Sequence, residues 1–276
     1  MKLKIAFVLF EDYHQRKNIG SSRIRGHWVI ENLKGAERFK QGGKYDVIVF
    51  QKTYWKEMAR NFKGVKILDI CDPDWLDGLE IANFCKDMDA VVVPTEAMAK
   101  IMRQVAECPV KIIPDRVKFE GLPKPKKHKG RAKSCVWFGY FHNTEVLENT
   151  LFKIKKNNLL LRIISNGVFN TSICSMKNIK WESPEQTNEE LLKADFAILP
   201  RYLKGRDIYK SDNKVVQCWA LGLPVATNPL DMDRFMEEKE REVEGEKVLT
   251  EARKNFNVKT SAKEYQELIE SIIRSK

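Results

Sequence analysis

Short motifs that mark several well-known enzyme classes are missing from this sequence. It contains no GxSxG, no HExxH, no GxxxxGK[ST] and no GxGxxG pattern. These motifs supply a nucleophilic serine, a zinc site, a phosphate-binding loop and a dinucleotide-binding turn, respectively. Hydrolase, zinc-protease and P-loop functions therefore lack the parts that they need.

Long apolar runs and paired cysteines are missing as well. No stretch approaches the roughly 18 apolar residues of a membrane-spanning helix. The amino end offers only a six-residue apolar run followed by acidic residues, which is typical of a first strand and not of a signal peptide. The six cysteines form no CxxC and no paired spacing, which favours free thiols in a reducing compartment. We interpret the protein as cytoplasmic, with peripheral attachment to a membrane as an alternative.

Basic residues outnumber acidic ones. The 276 residues include 49 Lys and Arg against 38 Asp and Glu, which gives a formal net charge of +11. This balance favours anionic partners such as nucleotides, nucleic acid or an acidic membrane surface. The same charge can serve solubility alone, so it does not identify the partner.

Apolar runs alternate with helical segments through the first 120 residues. Five runs are predicted as strands, at residues 5–9, 45–50, 65–70, 90–93 and 110–113, and the first has the continuous apolar character of a strand buried on both faces. The alternation indicates an α/β domain with a parallel sheet, in which ligands bind beyond the carboxyl ends of the strands. The loops after the first and third strands therefore hold the candidates for an acceptor or phosphate site, namely Gly20, Ser21, Arg23, Arg25, His27 and Asp72. A packing role for His27 and a simple Asp-Pro turn at Asp72 are the alternatives.

A basic segment interrupts this alternation. Residues 121–133, GLPKPKKHKGRAK, combine prolines, glycines and basic side chains without apolar periodicity, which is typical of a solvated linker. Because the alternation restarts at residue 135, we predict an amino-terminal domain at 1–120, the linker at 121–133 and a second domain at 134–256. The last residues, 257–276, form an amphipathic helix that we expect to pack toward the amino-terminal domain. We expect Ser261 to cap that helix, and Thr187 with Glu190 to form a capping box on an earlier one.

The stretch 210–227, KSDNKVVQCWALGLPVAT, predicts a helix that follows a polar turn. Ser211 or Asp212 can cap this helix, and Asn213 and Lys214 lie in its first turn. Unpaired N–H groups and the positive end of the dipole make a helix start attractive to an anion, and a lysine there suits a phosphate. An ordinary amphipathic helix is the alternative.

Several segments of the sequence, in this order, resemble the GT-B glycosyltransferases and specifically the glycosyltransferase family 4-like group. The segments are GSSRIRG, DAVVVPTEAMAK, VKIIPDRV, CVWFGY, KADFAILP and NKVVQCWALGLPVAT. The resemblance implies two Rossmann-like parallel-sheet domains facing each other across a cleft. It also implies transfer of a sugar from a nucleotide sugar to an acceptor hydroxyl, with retention of the anomeric configuration, without a metal and without a cofactor beyond the co-substrate.

The resemblance and the charge pattern together assign roles to individual residues. We expect catalytic roles for Lys214, Arg201 and His27. We expect the second domain to bind the donor through Gly139, Tyr140, Arg201, Ser211, Asp212, Asn213, Lys214 and Gln217. On the acceptor side we expect Gly20, Ser21, Arg23, Arg25, His27 and Asp72, with an anionic acceptor such as DNA or a lipid-linked glycan.

One pair of positions departs from the family. Its usual pair of glutamates would fall at Tyr209 and Gln217, and neither residue is acidic. Two alternatives therefore stay open. One is a DNA glycosyltransferase acting on hydroxylated or hydroxymethylated bases, which the positive charge would suit. The other is a non-catalytic protein that binds nucleotides or nucleic acid.

Overall fold

The computed structural model describes residues 3–202 and 204–276, which divide into two compact units. The first unit contains residues 3–118, together with Lys204–Asp212 and Phe256–Lys276. The second unit contains residues 119–202 and Asn213–Asn255.

The first unit is built on a six-stranded parallel sheet with the order β2-β1-β3-β4-β5-β6. The strands are β1 (Ile5–Leu9), β2 (Ala36–Arg38), β3 (Val47–Gln51), β4 (Val65–Asp69), β5 (Ala90–Val93) and β6 (Val110–Ile112). β1, β3 and β5 are buried along their whole length, as their continuous apolar sequences predict. The edge strand β2 was not predicted, because it has only three residues and two of them, Glu37 and Arg38, are charged.

Helices cover both faces of this sheet. They are α1 (Phe10–Tyr13), α2 (Gly20–Ser22), α3 (Trp28–Asn32), α4 (Lys56–Asn61), α5 (Ile81–Cys85) and α6 (Glu96–Val105). A π-helical turn, Arg23–His27, joins α2 to α3, and single 3₁₀ turns lie at Asp74–Asp77 and Gly205–Tyr209. Thr95 caps α6 as predicted, since its hydroxyl accepts a hydrogen bond from the Met98 N–H at 3.2 Å.

The second unit contains a five-stranded parallel sheet with the order β11-β10-β7-β8-β9. Its strands are β7 (Ser134–Gly139), β8 (Leu160–Ser165), β9 (Met176–Lys180), β10 (Phe196–Ile198) and β11 (Val225–Ala226). Its helices are α7 (Glu148–Lys156), α8 (Pro184–Leu192), α9 (Asn213–Ala220), α10 (Pro229–Arg234) and α11 (Glu238–Asn255), and the 3₁₀ segment Phe141–Leu147 precedes α7. Two parallel-sheet α/β units confirm the predicted fold class.

The final helix, α12 (Val258–Ser275), belongs to the first unit and packs against α3 and β4. Its buried residues join the core on one face of the sheet, where Tyr265 meets Phe7 with ring centroids 5.8 Å apart. The predicted cap at Ser261 is wrong. Asn257 caps α12 by accepting a hydrogen bond from the Lys259 N–H at 3.0 Å, and Ser261 lies buried inside the helix.

The predicted capping box on α8 is also wrong. The Ser183 side chain caps this helix, accepting from the Gln186 N–H at 3.1 Å, and Pro184 occupies its first turn. Thr187 therefore lies one turn inside the helix, where its hydroxyl donates to the Ser183 carbonyl. A serine followed by proline is a stronger start signal than the threonine four residues later.

The basic segment 121–133 has no helix or strand, but it is not a solvated linker. His128 is only 7% exposed, and its Nε2 lies 3.1 Å from the Gly222 carbonyl oxygen. Arg241, which is fully buried in α11, donates to the carbonyl of Gly130. Because its polar groups bind the second unit, the segment packs on that unit despite its charge. The domain boundaries at residues 120, 133 and 256 stay predictions.

Candidate active site

At the end of β7, a glycine makes room for a lysine of α9. The Lys214 Nζ lies 5.2 Å from the centroid of the Trp137 ring and 5.9 Å from that of Phe138. A Cβ atom built on Gly139 would lie 2.5 Å from the Lys214 Nζ and 3.1 Å from the Trp137 ring. Gly139 also has a φ of +154°, which side chains rarely adopt. The ammonium group can therefore sit over the strand end only because residue 139 has no side chain.

The same helix start supplies backbone donors. α9 begins at Asn213, so Asn213 and Lys214 are its first two residues, and N–H groups in a first turn have no partner within their own helix. The opposite face of α9 is fixed in the core by Val216 and Cys218, which are at most 1% exposed. Burial raises the pKa of the Cys218 thiol, and the nearby Lys214 charge opposes that shift. The second unit thus places one cation and a helix start beside the carboxyl end of its sheet.

The other predicted donor residues are distributed between the two units. Tyr140 is 55% exposed and stacks on His142 with ring centroids 5.7 Å apart. Arg201 follows β10 in the second unit and is partly buried. Ser211 and Asp212 belong to the first unit, where the Ser211 hydroxyl donates to Asp115 Oδ2 at 2.5 Å.

Tyr209 and Gln217, where the resemblance to the family 4-like group would place glutamates, both contact other side chains. The Tyr209 ring lies edge-on to Trp75 with centroids 5.2 Å apart, and its carbonyl accepts from the Thr95 hydroxyl. Gln217 donates from Nε2 to Asn188 Oδ1 of α8 at 2.9 Å.

In the first unit, a histidine and a glutamate meet beyond the end of β1. The Nε2 of His27 lies 2.5 Å from Glu11 Oε1, and the two side chains are 30% and 12% exposed. A chain of hydrogen bonds fixes the glutamate: its N–H donates to the Ser22 hydroxyl at 3.2 Å, and Ser22 donates to Gln51 Oε1 at 3.0 Å. Gln51 is completely buried at the end of β3. His27 is therefore part of a constructed cluster and not an isolated surface side chain.

His27 is the last residue of the π-helical turn. The N–H of Trp28 donates to the carbonyl of Arg23, five residues earlier, which identifies the extra residue of a π-turn. One inserted residue rotates the next part of the helix by about 100° relative to an uninterrupted α-helix. Gly26 lets this turn lie directly on Leu9, because any Cβ at that position would overlap the leucine side chain.

Arg25, in the same turn, lies inside the protein, where its partners are carboxylates and not the anion that was predicted. Arg25 is 3% exposed, and it contacts Asp69 Oδ1 at 2.6 Å and Asp115 Oδ1 at 2.7 Å. Tyr265 donates to the other oxygen of Asp69. Although burial lowers the pKa of Arg25, the carboxylates of Asp69 and Asp115 raise it well above its ordinary value. Arg25 is the centre of a buried ion cluster.

The remaining acceptor-side candidates lie at the surface of the same unit. Gly20 and Ser21 open α2, and the Arg23 guanidinium lies 5.8 Å from the Trp28 ring centroid. Asp72 is 41% exposed at its side chain and pairs with the Lys52 Nζ at 2.5 Å.

A second carboxylate, Asp74, completes the cluster around Lys52. Its Oδ1 lies 3.7 Å from the Lys52 Nζ, and its Oδ2 accepts from the Tyr54 hydroxyl at 2.7 Å. Burial raises the pKa of Asp74, and the Lys52 charge opposes the shift. This cluster lies beyond the carboxyl ends of β3 and β4. Among residues 3–202 and 204–276, no group of three or more His, Cys, Asp or Glu side chains has a geometry that could hold a metal ion.

Members of the clusters around His27 and Lys52 that sequence reasoning missed include Glu11, Gln51, Lys52 and Tyr54. A signal existed for three of them, because Glu11, Gln51 and Lys52 stand at or just after the end of a buried strand. Polar side chains at that place meet at one edge of a parallel sheet.

No protein-family profile and no curated protein sequence matches the chain. Solved structures do match. TarM aligns with a TM-score of 0.61 at 14% identity, over 87% of this chain and 56% of TarM. AviGT4, a glycosyltransferase involved in avilamycin A biosynthesis, aligns with a TM-score of 0.59 at 11% identity, over 99% of both chains.

A third structure, the pneumococcal O-GlcNAc transferase GtfA in complex with UDP and GlcNAc, aligns with a TM-score of 0.52 at 10% identity, over 82% of this chain and 57% of GtfA. The chain thus spans little more than half the length of TarM and GtfA. The protein has the fold of the GT-B glycosyltransferases. The narrower family 4-like assignment stays a prediction. Of the described helices, none has the length and apolar character needed to cross a membrane.

Proposed function

We propose that the protein is a glycosyltransferase that moves a sugar from a nucleotide diphosphate donor to an acceptor hydroxyl. The contact between Lys214 and Gly139 is the observation that supports this most strongly. A lysine ammonium held over a strand end beside the first turn of α9 is suited to a diphosphate, which needs concentrated positive charge and N–H donors. The fold is compatible with this reaction.

The proposed chemistry does not require a metal. Charge develops on the diphosphate as it leaves the sugar, and a preorganised cation and helix start stabilise that charge at the moment it forms. Lys214 would supply the cation, and Arg201 is a second candidate in the same unit. The Trp137 ring, only 2% exposed, lies under the Lys214 ammonium and limits its freedom.

Retention of configuration is not part of this proposal. Retention was implied by resemblance to a family with two glutamates, and the corresponding Tyr209 and Gln217 are engaged with Trp75 and Asn188. A DNA acceptor is not part of this proposal either.

A ligand panel tests the proposal. Calorimetric titration with UDP, GDP, ADP, CDP and dTDP identifies the base, and the corresponding nucleotide sugars are then incubated with saccharide, polyol and methanol acceptors. We expect the wild type to prefer one of these nucleotides, and we expect the Lys214→Ala variant to bind that nucleotide at least tenfold more weakly. Lys155→Ala removes the same charge from the exposed end of α7 and should leave the affinity unchanged. Glycoside formation supports a transferase, whereas nucleotide binding without transfer to any acceptor would support the non-catalytic alternative.

A further inference from the structure

One nitrogen of the Arg25 guanidinium has no hydrogen-bond partner among residues 3–202 and 204–276. The Nε donates to Asp69 Oδ1 at 2.6 Å, and the Nη1 donates to Asp115 Oδ1 at 2.7 Å and to the Ile113 carbonyl at 2.9 Å. The Nη2 is buried, and within that part of the chain no group accepts a hydrogen bond from it. An unsatisfied buried donor destabilises a protein, and a charged one does so more strongly. We therefore expect a molecule other than the chain itself to bind at Nη2.

A small cavity lies beside this guanidinium in the first unit. Its volume is about 10 Å³, and Arg25 forms part of its wall. Val29 and Ile113 contribute apolar side chains to the wall. The polar or charged residues of the wall are Arg25, Asp115, Arg116, Ser261 and Tyr265. Because a buried water molecule needs a cavity of roughly 10–15 Å³, the size matches a single water molecule.

The polar groups of the wall include both donors and acceptors. The Ser261 hydroxyl accepts from Arg116 Nη1 at 3.1 Å, which leaves its own hydrogen for donation. Asp115 accepts from Arg25 through Oδ1 and from the Ser211 hydroxyl through Oδ2, and each carboxylate oxygen has a second lone pair. Buried water molecules typically make about three hydrogen bonds. Arg25 Nη2, Ser261 and Asp115 can supply that number.

The charges around the cavity argue against an ion. An anion would lie next to the carboxylate of Asp115, and a cation would lie next to the guanidinium groups of Arg25 and Arg116. A neutral molecule that both donates and accepts hydrogen bonds meets neither repulsion. Water has these properties and the size of the cavity.

We propose that one water molecule is an integral part of the first unit, where it accepts hydrogen bonds from Arg25 Nη2 and the Ser261 hydroxyl and donates one to Asp115. Arg25 lies in the π-helical turn, Asp115 follows β6 and Ser261 lies in α12, so the water links three segments of this unit. The inference does not depend on the proposed function, because none of these three residues belongs to the proposed donor site.

A high-resolution crystal structure of the full chain tests the proposal directly. We expect a fully occupied, spherical density peak about 2.7–3.2 Å from Arg25 Nη2, at hydrogen-bonding distance from Ser261 Oγ and from a carboxylate oxygen of Asp115. A side chain that fills the cavity, or a map with no peak there, would overturn the proposal. Crystals soaked in bromide test the ionic alternative, because an anomalous signal at this position would identify an anion site and also overturn the proposal.

Oxygen-17 magnetic relaxation dispersion counts the water molecules that have long residence times in solution. Ser261→Val removes the hydroxyl from the wall of the cavity and reduces the space, so we expect this variant to contain one long-lived water molecule fewer than wild type. Ser271→Val is the matched control, because Ser271 lies in the same helix and is exposed. This control should leave the count unchanged. Equal counts in all three proteins would refute the proposed water.

A smaller substitution keeps the test decisive if Ser261→Val does not fold, which circular dichroism shows. Ser261→Ala removes the hydroxyl without reducing the space. The water then loses one of its three hydrogen bonds, so its residence time should shorten by about two- to tenfold. A residence time equal to that of the wild type would contradict the assigned contact with Ser261.

Discussion

Replacing Gly139 with alanine tests the geometry of the donor site. The new Cβ would lie 2.5 Å from the Lys214 Nζ, whereas a comfortable contact is about 3.5 Å or more, so the ammonium must move by about 1 Å. A misplacement of about 1 Å can cost on the order of 100-fold in rate. The Trp137 ring, 3.1 Å from the same Cβ, would have to give by a few tenths of an ångström for the methyl group to shift toward it.

The substitution also strains the backbone, and this effect must be separated from the effect on the lysine. Alanine at a φ of +154° costs about 1–3 kcal/mol of stability. Gly130→Ala is the matched control, because Gly130 lies in the same unit with a φ of +61° and nothing within 4 Å of its added Cβ. Calorimetric titration with the preferred nucleotide, together with thermal unfolding, should show destabilisation in both variants and weakened binding only in Gly139→Ala.

A double-mutant cycle then isolates the mechanism. If Gly139 acts through Lys214, the variant with both Gly139→Ala and Lys214→Ala should bind nucleotide no more weakly than Lys214→Ala alone. Additive losses, or wild-type binding by Gly139→Ala, would refute the reasoning.

Three further predictions concern stability. Arg25→Ala should destabilise the protein by about 3–5 kcal/mol in urea unfolding, because it leaves Asp69 and Asp115 buried without their cation; a loss below about 1 kcal/mol would contradict the assignment of a buried cluster. Tyr265→Phe removes one donor to Asp69 and should cost about 1–3 kcal/mol in the same assay, whereas an unchanged midpoint would mean that this hydrogen bond contributes nothing. Burial lowers the pKa of His128 below its ordinary value of 6.5, so its contribution to stability is complete above pH 6.5 and is lost as the pH falls through the lowered pKa. The urea midpoints of wild type and His128→Gln should therefore converge toward acid pH. Parallel curves of urea midpoint against pH would argue against this shift.

The helices and strands could be predicted where a short stretch of sequence is enough to identify them. The predicted bounds of β1 and β5 are those of the structure. A strand that is buried on both faces is apolar at every position, so its first and last residues are easy to recognise in the sequence. Helix starts were less predictable. Ser261 and Thr187 have good capping chemistry, but Asn257 and Ser183 precede them by four residues, and the earlier cap begins the helix.

Some residues of the candidate site could likewise be predicted from the sequence, and others could not. Lys214 and Gly139 could be selected from the sequence, because a glycine at a strand end and a lysine at a helix start are local signals. The pairing of His27 with Glu11 could not, since it joins residues 16 positions apart and depends on a π-turn that no periodicity indicates. The burial of Arg25 could not be predicted either, because its partners Asp69 and Asp115 lie 44 and 90 positions away in the sequence.

The most direct test of the central claim is steady-state sugar transfer by wild type, Lys214→Ala and the control Lys155→Ala. One charge-assisted contact that forms mainly in the transition state contributes on the order of 3 kcal/mol, so Lys214→Ala should lower kcat about 100-fold and change KM much less. Lys155→Ala should match the wild type. A Lys214→Ala variant with wild-type kcat would contradict the account, because the diphosphate would then leave from somewhere other than the start of α9.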